Sequence, residues 1–337
     1  MIEPTACVSL TELAERFKLD AAPLATVAAR YPVRISRYYA SLIETINDPI
    51  WRQCVPSPQE LDDTDQLADP LDEERLSPVP GLIHRYPDRA VLLVSNHCAT
   101  YCRFCMRKRQ VGCSAGKFEL GAALAYIADT PQLRDIVLSG GDPLMLPDEA
   151  LHDLLGALRR IPHVEVIRIG SRMPVTEPAR ITPQLCRLLA AHHPLYLNTH
   201  FNHPRELSPQ ARAACSMLAD AGIQLGNQTV LLRGINDDYT VLQELFTGLL
   251  RLRVRPYYLH QMDLVQGTAH FRTPLERGRE LIGALRGRVS GLAIPHFVVD
   301  LPGGRGKVPL LPENLQKSAD GWSIRTCTGE MVRYYDP

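Results

Sequence analysis

The alternation of short apolar runs with helical segments constrains the fold of this 337-residue chain more than any other feature. From about residue 90, β-branched or apolar runs alternate with longer segments whose apolar residues recur at helical spacing. Strand followed by helix, repeated about six times, predicts parallel strands joined by right-handed crossovers. A six-unit open barrel and a doubly wound sheet both satisfy this pattern. The six runs are AVLLVSN, RDIVLSG, VEVIRIG, LYLNTH, GNQTVLL and RPYYLH.

The ends of these predicted strands carry polar residues of kinds that are unusual in a sheet. In both architectures the functional groups lie at the carboxyl ends of the strands. We therefore expect the active site along that edge. The residues found there are Asn96, His97, Ser139 to Asp142, Arg172, His200, Gln228 and His260.

The region before the alternating pattern has a different composition. SLTELAERF begins with an arrangement suited to helix capping, whereas Gln53 to Gly81 is rich in proline and acidic residues and predicts an extended, wrapping segment. We therefore expect three parts. These are a helical and wrapping segment at 1–80, an α/β region at 81–290 and a C-terminal segment at 291–337.

Charge and cysteine usage narrow the class of partner. The chain has 37 basic and 37 acidic residues, so its overall charge favours neither nucleic acid nor an anionic membrane. No apolar stretch is long enough to span a bilayer, and the N-terminal residues do not resemble a secretory signal. Nine cysteines, scattered except for one trio, are typical of a reducing compartment. We expect a cytoplasmic protein with a small-molecule substrate.

The trio is Cys98, Cys102 and Cys105, on a short loop directly after the first predicted strand. Structural zinc requires four protein ligands, and Cys113 is awkwardly placed for a fourth. Three ligands on a four-iron cluster leave one iron open, which can chelate the amino and carboxylate groups of a methionine moiety. A zinc site completed by a distant residue, or chance clustering, is the alternative.

Around this trio the chain resembles the radical S-adenosylmethionine superfamily, in which a CxxxCxxC loop follows the first strand. The resemblance implies that these cysteines bind a [4Fe–4S] cluster, with the aromatic Phe104 just before the last ligand. Gly140, Gly141 and Asp142 end the second predicted strand, where the superfamily has a GGE-type motif that holds the methionyl amino group. Without that placement, the same residues equally suit a plain turn.

A lysine lies in a glycine-rich loop near the C-terminus, FVVDLPGGRGKVPLLP. A partly desolvated lysine can form a Schiff base, because burial lowers the pKa of its amine. The spacing of Lys307 also suits a solvated surface lysine or a phosphate clamp. The loop does not match the nucleotide-binding pattern, because Val308 follows the lysine.

Longer blocks of sequence resemble the lysine 2,3-aminomutase family from residue 84 to residue 312. The resemblance implies a partial (β/α)6 parallel barrel with an N-terminal helical extension and a C-terminal segment that binds pyridoxal phosphate. It also implies an isomerase, a reducing electron donor of the flavodoxin or ferredoxin type, and a homo-oligomer. The blocks include HRYPDR, LSGGDPL, RIGSRMPVTEPARIT, NTHFNHPREL, LADAGIQLGNQTVLLRGIND, RVRPYYLHQMDL, HFRTP and DLPGGRGKVPLLP.

The same resemblance implies roles for residues that bind the cofactors. Lys307 matches the lysine that holds pyridoxal phosphate. His200 and Gln228 match positions that contact S-adenosylmethionine. Arg85, Tyr86 and Arg89 match positions around the phosphate and ring of the pyridoxal cofactor, and guanidinium and tyrosine groups suit those partners.

For the substrate, Arg107 matches the position that pairs with the amino-acid carboxylate, and Asp263 and Asp300 match those that hold the ε-ammonium of lysine. Two carboxylates facing one pocket repel each other unless a cation lies between them. The implied reaction is therefore conversion of L-lysine to L-β-lysine. Glutamate-specific relatives replace these acids, and relatives that modify a lysine of elongation factor P lack the DxPGGxGK arrangement. Arginine or ornithine remain open, because sequence does not set the depth of the pocket.

Two features depart from the family pattern. Arg305 replaces a glycine of the usual PGGGGK loop, where it is strained if the position requires a positive φ. We expect its side chain to point outward. Only Cys327 lies near the C-terminus, so we expect no zinc site between subunits. A metal-binding or redox-sensing module without radical chemistry is the alternative outside the enzyme class.

Overall fold

The computed structural model describes residues 6–63, 66–113, 118–311, 314–318, 321–326 and 328–334. Four short helices come before the sheet, and side-chain caps begin three of them: Ser9, Ser36 and Asp48 each accept hydrogen bonds from backbone N–H groups of the first turn. The boundary at residue 80 stays a prediction. The helices are α1 (Leu10–Phe17), α2 (Ala22–Arg30), α3 (Arg37–Ser41) and α4 (Pro49–Cys54).

The central sheet has nine strands that pair in chain order. The six predicted runs form β2 to β7, which are parallel, and β8 adds a seventh parallel strand. The edge strands β1 and β9 pair antiparallel to β2 and β8. The strands are β1 (Leu82–Tyr86), β2 (Arg89–Ser95), β3 (Asp135–Gly140), β4 (Val166–Gly170), β5 (Leu195–Thr199), β6 (Gln224–Leu231), β7 (Val254–Gln261), β8 (His296–Leu301) and β9 (Gly306–Pro309).

A helix follows each of the strands β2 to β7, which makes six strand–helix units, and β8 completes the parallel set. Because the strand order never reverses, the doubly wound alternative is excluded and an α/β fold with a barrel-like parallel sheet is confirmed. The (β/α)6 count and the segment that binds pyridoxal phosphate stay predictions. The division at residue 290 stays a prediction, although β8 and β9 lie in the same sheet as β2 to β7. The helices are α5 (Leu120–Ala128), α6 (Asp148–Arg159), α7 (Met173–Thr176), α8 (Pro183–Ala190), α9 (Pro209–Asp220), α10 (Tyr239–Arg251) and α11 (Leu275–Leu285), where the short α7 precedes α8.

Alternate strand residues and one face of each crossover helix build the core. Ile136 and Leu138 of β3 and Ile167 and Ile169 of β4 are fully buried. Burial of each such side chain contributes about 1.5–3 kcal/mol to folding. This packing leaves the carboxyl ends of the strands to carry polar groups.

Two smaller features complete the fold. A separate antiparallel sheet follows β9 and contains β10 (Leu315–Ser318), β11 (Gly321–Arg325) and β12 (Met331–Tyr334). Among the described residues, no helix is long and apolar enough to cross a membrane.

Glu60 ties the N-terminal segment to the cysteine loop. This fully buried carboxylate accepts hydrogen bonds from Arg103, inside the CxxxCxxC loop, and from Lys108, whose Nζ lies 2.6 Å away. Burial raises the pKa of Glu60, but the two cations outweigh it and lower the pKa overall. The loop that follows β2 is therefore anchored to the N-terminal segment as well as to the sheet.

Candidate active site

Cys98, Cys102 and Cys105 are free thiols in the loop after β2. Burial raises the pKa of Cys98 well above its ordinary value and that of Cys105 to about 11, and the neighbouring thiols add to both shifts. Among the described residues, no three His, Cys, Asp or Glu side chains are arranged to hold one metal ion. A four-iron cluster requires no such convergence, because each cysteine binds a different iron. The donor set therefore fits a cluster.

Arg172, which follows β4, connects the cysteine loop to the N-terminal helices. One of its Nη atoms lies 2.9 Å from Sγ of Cys102. The other donates to Glu206 and to Gln53 at 2.6 Å each, and to the hydroxyl of Tyr39 at 3.0 Å. A buried cation thus lies beside one of the three cysteines.

The Gly140–Gly141–Asp142 motif packs directly against the backbone that leads into the cysteine loop. Gly140 has φ of +123°, and a Cβ at either glycine would collide with the backbone of Ser95 or His97. The buried carboxylate of Asp142 accepts hydrogen bonds from Ser171 at 2.7 Å and from the backbone of residue 172 at 2.8 Å. The motif therefore holds the ends of β2, β3 and β4 together.

A cavity of about 290 Å³ adjoins this motif. Gly140 and Gly141 form part of its wall, together with Ser95 and Asn96 at the end of β2. The rest of the wall includes Glu73 and Glu74 but none of the three cysteines, nor His200 or Gln228. The cavity therefore does not by itself identify a binding site for S-adenosylmethionine.

His200 directly follows β5, at its carboxyl end as the sequence predicts. Gln228 lies within β6, three residues before the strand ends at Leu231, so its predicted place at a strand end is wrong. Burial, together with nearby His260, Arg172 and Lys307, lowers the pKa of His200 to about 3. His200 is therefore neutral at physiological pH. It can accept or donate a hydrogen bond without bringing a charge.

Lys307 lies on β9, directly across from Asp300 on β8. Its Nζ forms a short ion pair with the Asp300 carboxylate and lies 3.2 Å from Nδ1 of His260. The side chain of Lys307 is 23% exposed and that of Asp300 is 10% exposed. The lysine amine is therefore inside the site, and the solvated surface alternative is excluded.

Arg85, Tyr86 and Arg89 bring the opposite edge of the sheet to this lysine. The backbone N–H of Lys307 donates to the Tyr86 hydroxyl at 2.8 Å, and the guanidinium of Arg89 lies 3.9 Å from the centre of the Tyr86 ring. Arg85 contacts Asp300 at 3.6 Å, and its buried Nε has no hydrogen-bond partner among the described residues. Two guanidinium groups and an unsatisfied donor fit a phosphate beside the lysine.

Asp263 lies just beyond β7, close to the same group. Burial raises its pKa to about 7, and the negative charge of Asp300 adds to the shift while Lys307 opposes it. Burial tends to raise the pKa of Asp300, but the contacts with His260 and Lys307 outweigh this effect and hold the pKa well below its ordinary value. Asp300 thus pairs with the Lys307 ammonium, while Asp263 lies near enough to be affected by both charges. The role of the two carboxylates in binding a substrate ammonium stays a prediction.

Arg107 is buried at the same end of the barrel, but an internal partner occupies much of its guanidinium. Its Nε and one Nη donate to Glu73 at 2.9 and 2.7 Å, and its other Nη donates to Ser139 at 3.0 Å. Glu73 thereby fixes the orientation of the guanidinium. The role of Arg107 in binding a substrate carboxylate stays a prediction.

The glycine-rich loop accommodates Arg305 without backbone strain. Gly303, Gly304 and Gly306 have φ of +73°, +71° and +93°, whereas Arg305 is not among the described non-glycine residues with positive φ. The arginine is exposed. The expectation that it points outward is therefore confirmed. Cys327 and the expected absence of zinc lie outside the described residues.

Two residues at the centre of this site carry no distinguishing pattern in the sequence. His260 was visible only as a polar residue at a strand end, and nothing in the sequence indicates its contact with Lys307. Glu73 belongs to an acidic, proline-rich segment in which no single carboxylate is distinguished. Spatial contact alone identifies both.

Comparison with known proteins gives concordant similarities. A family model described as lysine-2,3-aminomutase matches residues 282–337. L-lysine 2,3-aminomutase of Fusobacterium nucleatum is 52% identical over 310 residues, which cover 90% of this chain and 73% of the relative. Glutamate 2,3-aminomutase of Clostridioides difficile is 43% identical, covering 92% and 75%. The crystal structure of Streptococcus suis SuiB bound to S-adenosylmethionine superimposes with a TM-score of 0.47 at 11% identity, covering 63% of this chain and 51% of that one.

Proposed function

Because the chain belongs to the lysine 2,3-aminomutase family, we propose that it converts L-lysine to L-β-lysine by moving the amino group from C2 to C3. It is an isomerase that uses S-adenosylmethionine, a [4Fe–4S] cluster and pyridoxal phosphate. When bound, S-adenosylmethionine and the cluster supply a radical that removes hydrogen from an unactivated carbon. Pyridoxal phosphate supplies a carbonyl carbon that carries the amino nitrogen. The observation that carries lysine as the substrate is the pair of carboxylates, Asp263 and Asp300, beside Lys307.

Cys98, Cys102 and Cys105 bind the cluster through three of its irons in this proposal. The group that holds S-adenosylmethionine next to them comprises Gly140, Gly141 and Asp142 at the end of β3 and the neutral groups His200 and Gln228. Support comes from the close approach of Gly140 and Gly141 to the backbone of Ser95 and His97, which leads into the cysteine loop.

Lys307 binds pyridoxal phosphate through its Nζ, while Arg85, Tyr86 and Arg89 hold the phosphate and the ring. The support is that all four residues meet where the two edges of the sheet approach each other. Once Nζ is bonded to the cofactor, it carries at most one hydrogen instead of three. Asp300 can then accept a hydrogen bond from another cation.

The ε-ammonium of the substrate supplies that cation, held by Asp300 and Asp263. Near neutral pH Asp263 holds a proton part of the time, because its pKa is about 7. A bound ammonium favours the charged carboxylate and expels this proton. Arg107, oriented by Glu73, pairs with the carboxylate at the other end of the substrate, so both ends are fixed before hydrogen removal.

Three further expectations belong to the same proposal. The cluster requires a reducing electron donor of the flavodoxin or ferredoxin type. We expect a homo-oligomer, and a cytoplasmic location, where free cysteines stay reduced. The parts 1–80, 81–290 and 291–337 then correspond to a wrapping segment, the barrel that holds the cluster, and the segment that carries Lys307.

The test is turnover by the full-length chain, reconstituted without oxygen and reduced, with occupancy of both cofactors measured independently. Incubation with equal concentrations of L-lysine, L-arginine, L-ornithine and L-glutamate should give β-lysine as the main product by chromatography and mass spectrometry. Fully loaded enzyme that forms no β-lysine would refute the proposal. A β-amino acid formed instead from another substrate would correct the specificity.

A pair of cysteine variants provides the matched control. Cys102→Ser should abolish turnover and the cluster spectrum together, since it removes one of three ligands. Cys113→Ser changes a free thiol a few residues away and should preserve both.

A further inference from the structure

His260 lies in the centre of the site, yet the proposed function gives it no role. It is the second-to-last residue of β7, and its Nδ1 lies 3.2 Å from Nζ of Lys307 and 3.6 Å from the carboxylate of Asp300. Its other ring nitrogen, Nε2, is buried and has no hydrogen-bond partner among the described residues. The imidazole thus contacts the lysine amine through one ring nitrogen, and its other ring nitrogen is left without a partner in the described part of the chain.

The contacts of the ring determine its proton arrangement. An ammonium group only donates, so Nδ1 must accept from Lys307, and the ring hydrogen lies on Nε2. The groups that face His260 are Lys307 and Asp300, the ring of Tyr258 on its own strand at 5.3 Å, and neutral His200. Burial and the lysine cation lower the pKa of His260, although Asp300 opposes them. The ring is therefore neutral and free to accept a proton at physiological pH.

Lys307 requires such an acceptor. An ammonium nitrogen has no lone pair, and it must lose a proton before it can attack an aldehyde carbon. Asp300 is a poor acceptor, because the same ion pair that holds its pKa low stabilises the ammonium. Among the described residues that contact Nζ, His260 is the remaining base.

We propose that His260 is the general base that deprotonates Lys307 for attachment of pyridoxal phosphate, an inference that rests on the proposed role of Lys307. Nδ1 takes one proton from the ammonium, and the freed electron pair forms the N–C bond to the aldehyde carbon. The carbonyl oxygen leaves as water, carrying the proton returned by His260 and a second proton from the nitrogen. The nitrogen keeps its third hydrogen in a protonated C=N bond, so charge and atoms balance.

The experiment measures how fast pyridoxal phosphate attaches to the cofactor-free, full-length chain between pH 6 and pH 9. The C=N absorbance is followed by stopped flow, and the site of attachment is mapped by borohydride reduction and peptide mass. His260→Asn keeps a polar group near the position of Nδ1 but removes the base. His260→Ala leaves room for free imidazole. His296→Asn, an exposed histidine at the start of β8, is the matched control.

The wild-type rate should vary little with pH, because the proton is passed internally. The rate in His260→Asn should fall at least ~100-fold near pH 7 and then rise about tenfold per pH unit, since only bulk base remains. Imidazole should accelerate His260→Ala, final occupancy at Lys307 should be kept, and His296→Asn should match the wild type.

Two results would overturn the inference and separate it from the proposed function. A His260→Asn protein that attaches the cofactor to Lys307 at the wild-type rate, with the same pH profile, would refute the role of His260 alone. A wild-type protein in which no reduced adduct forms at Lys307 would refute the proposed function and this inference with it.

Discussion

Substitution of Asp263 by asparagine should make the cofactor-free protein more stable in a pH-dependent way. The pKa of this carboxyl is raised from 3.8 to about 7 by burial and by Asp300. The folded state therefore binds more protons at this site than the unfolded state does between those two pH values. It follows that the ionised carboxyl increasingly opposes folding as pH rises from about 4 to 7.

The size of the effect follows from the shift. About three pKa units at ~1.36 kcal/mol per unit give a cost of about 4 kcal/mol above pH 7. At pH 5 most of that cost is absent, and roughly 1.7 kcal/mol remains. The gain in unfolding free energy from Asp263→Asn should therefore be about 2–3 kcal/mol larger at pH 8 than at pH 5.

The assay is urea denaturation of the cofactor-free wild type and variant at pH 5, 6, 7 and 8, with the unfolding free energy taken from the midpoint and the slope. Asp153→Asn, on the exposed face of α6, is the matched control and should shift stability equally at all four pH values. Parallel pH profiles for wild type and Asp263→Asn would refute the reasoning. They would mean that the carboxyl is not desolvated beside Asp300.

Three further substitutions, and a control for one of them, have expected outcomes. Asp300→Asn should lower kcat/KM for lysine by about 10- to 150-fold, because a charge-assisted hydrogen bond contributes ~1.5–3 kcal/mol. Glu60→Gln should lower the free energy of unfolding by about 3–5 kcal/mol in denaturation experiments, because two buried cations lose their counter-charge. Gly304→Ala should cost about 1–3 kcal/mol, since its φ is +71° and a Cβ would lie 2.5 Å from a leucine methyl group. Arg305→Ala, next to it, should change stability by less than ~0.5 kcal/mol.

Contrary results would be specific. An unchanged kcat/KM in Asp300→Asn would remove this carboxylate from the substrate site. A Glu60→Gln protein as stable as wild type would mean that water replaces the buried ion pairs. Equal losses in Gly304→Ala and Arg305→Ala would contradict the assignment of positive φ to the glycine alone.

The barrel was predictable because its evidence is local. Each of the runs that form β2 to β7 consists of a few apolar residues followed by a helical pattern. This periodicity can be recognised in the sequence without knowledge of tertiary contacts. The strand β8 was missed because FVVDL runs directly into the glycine loop, whose turn residues dominate the pattern. The strand β1 was missed because LIHRY is half polar, and its pairing with β2 depends on the tight turn at Pro87 and Asp88.

The site was predictable only as far as resemblance supplied the positions. Lys307 contacts Asp300 because of the register between the neighbouring strands β8 and β9. That register cannot be derived from the sequence alone. Glu73 reaches Arg107 across 34 residues, and His260 reaches Lys307 across 47. Such contacts depend on the tertiary fold of the whole chain, so no local sequence pattern predicts them.

The approach of the two sheet edges has a consequence for how the protein fails. Strands β1 and β9 are joined through Tyr86 and Lys307, and Arg85 reaches Asp300 across the same gap. The residues that connect the two edges of the sheet are thus the residues proposed to hold pyridoxal phosphate. A ligand that binds only the folded form stabilises it by RT ln(1 + L/Kd), where L is the free ligand concentration, so the stabilisation falls as the free ligand is depleted. Loss of the cofactor should therefore weaken the contact between β1 and β9 first. A mutation in either edge strand should increase cofactor dissociation before it causes unfolding.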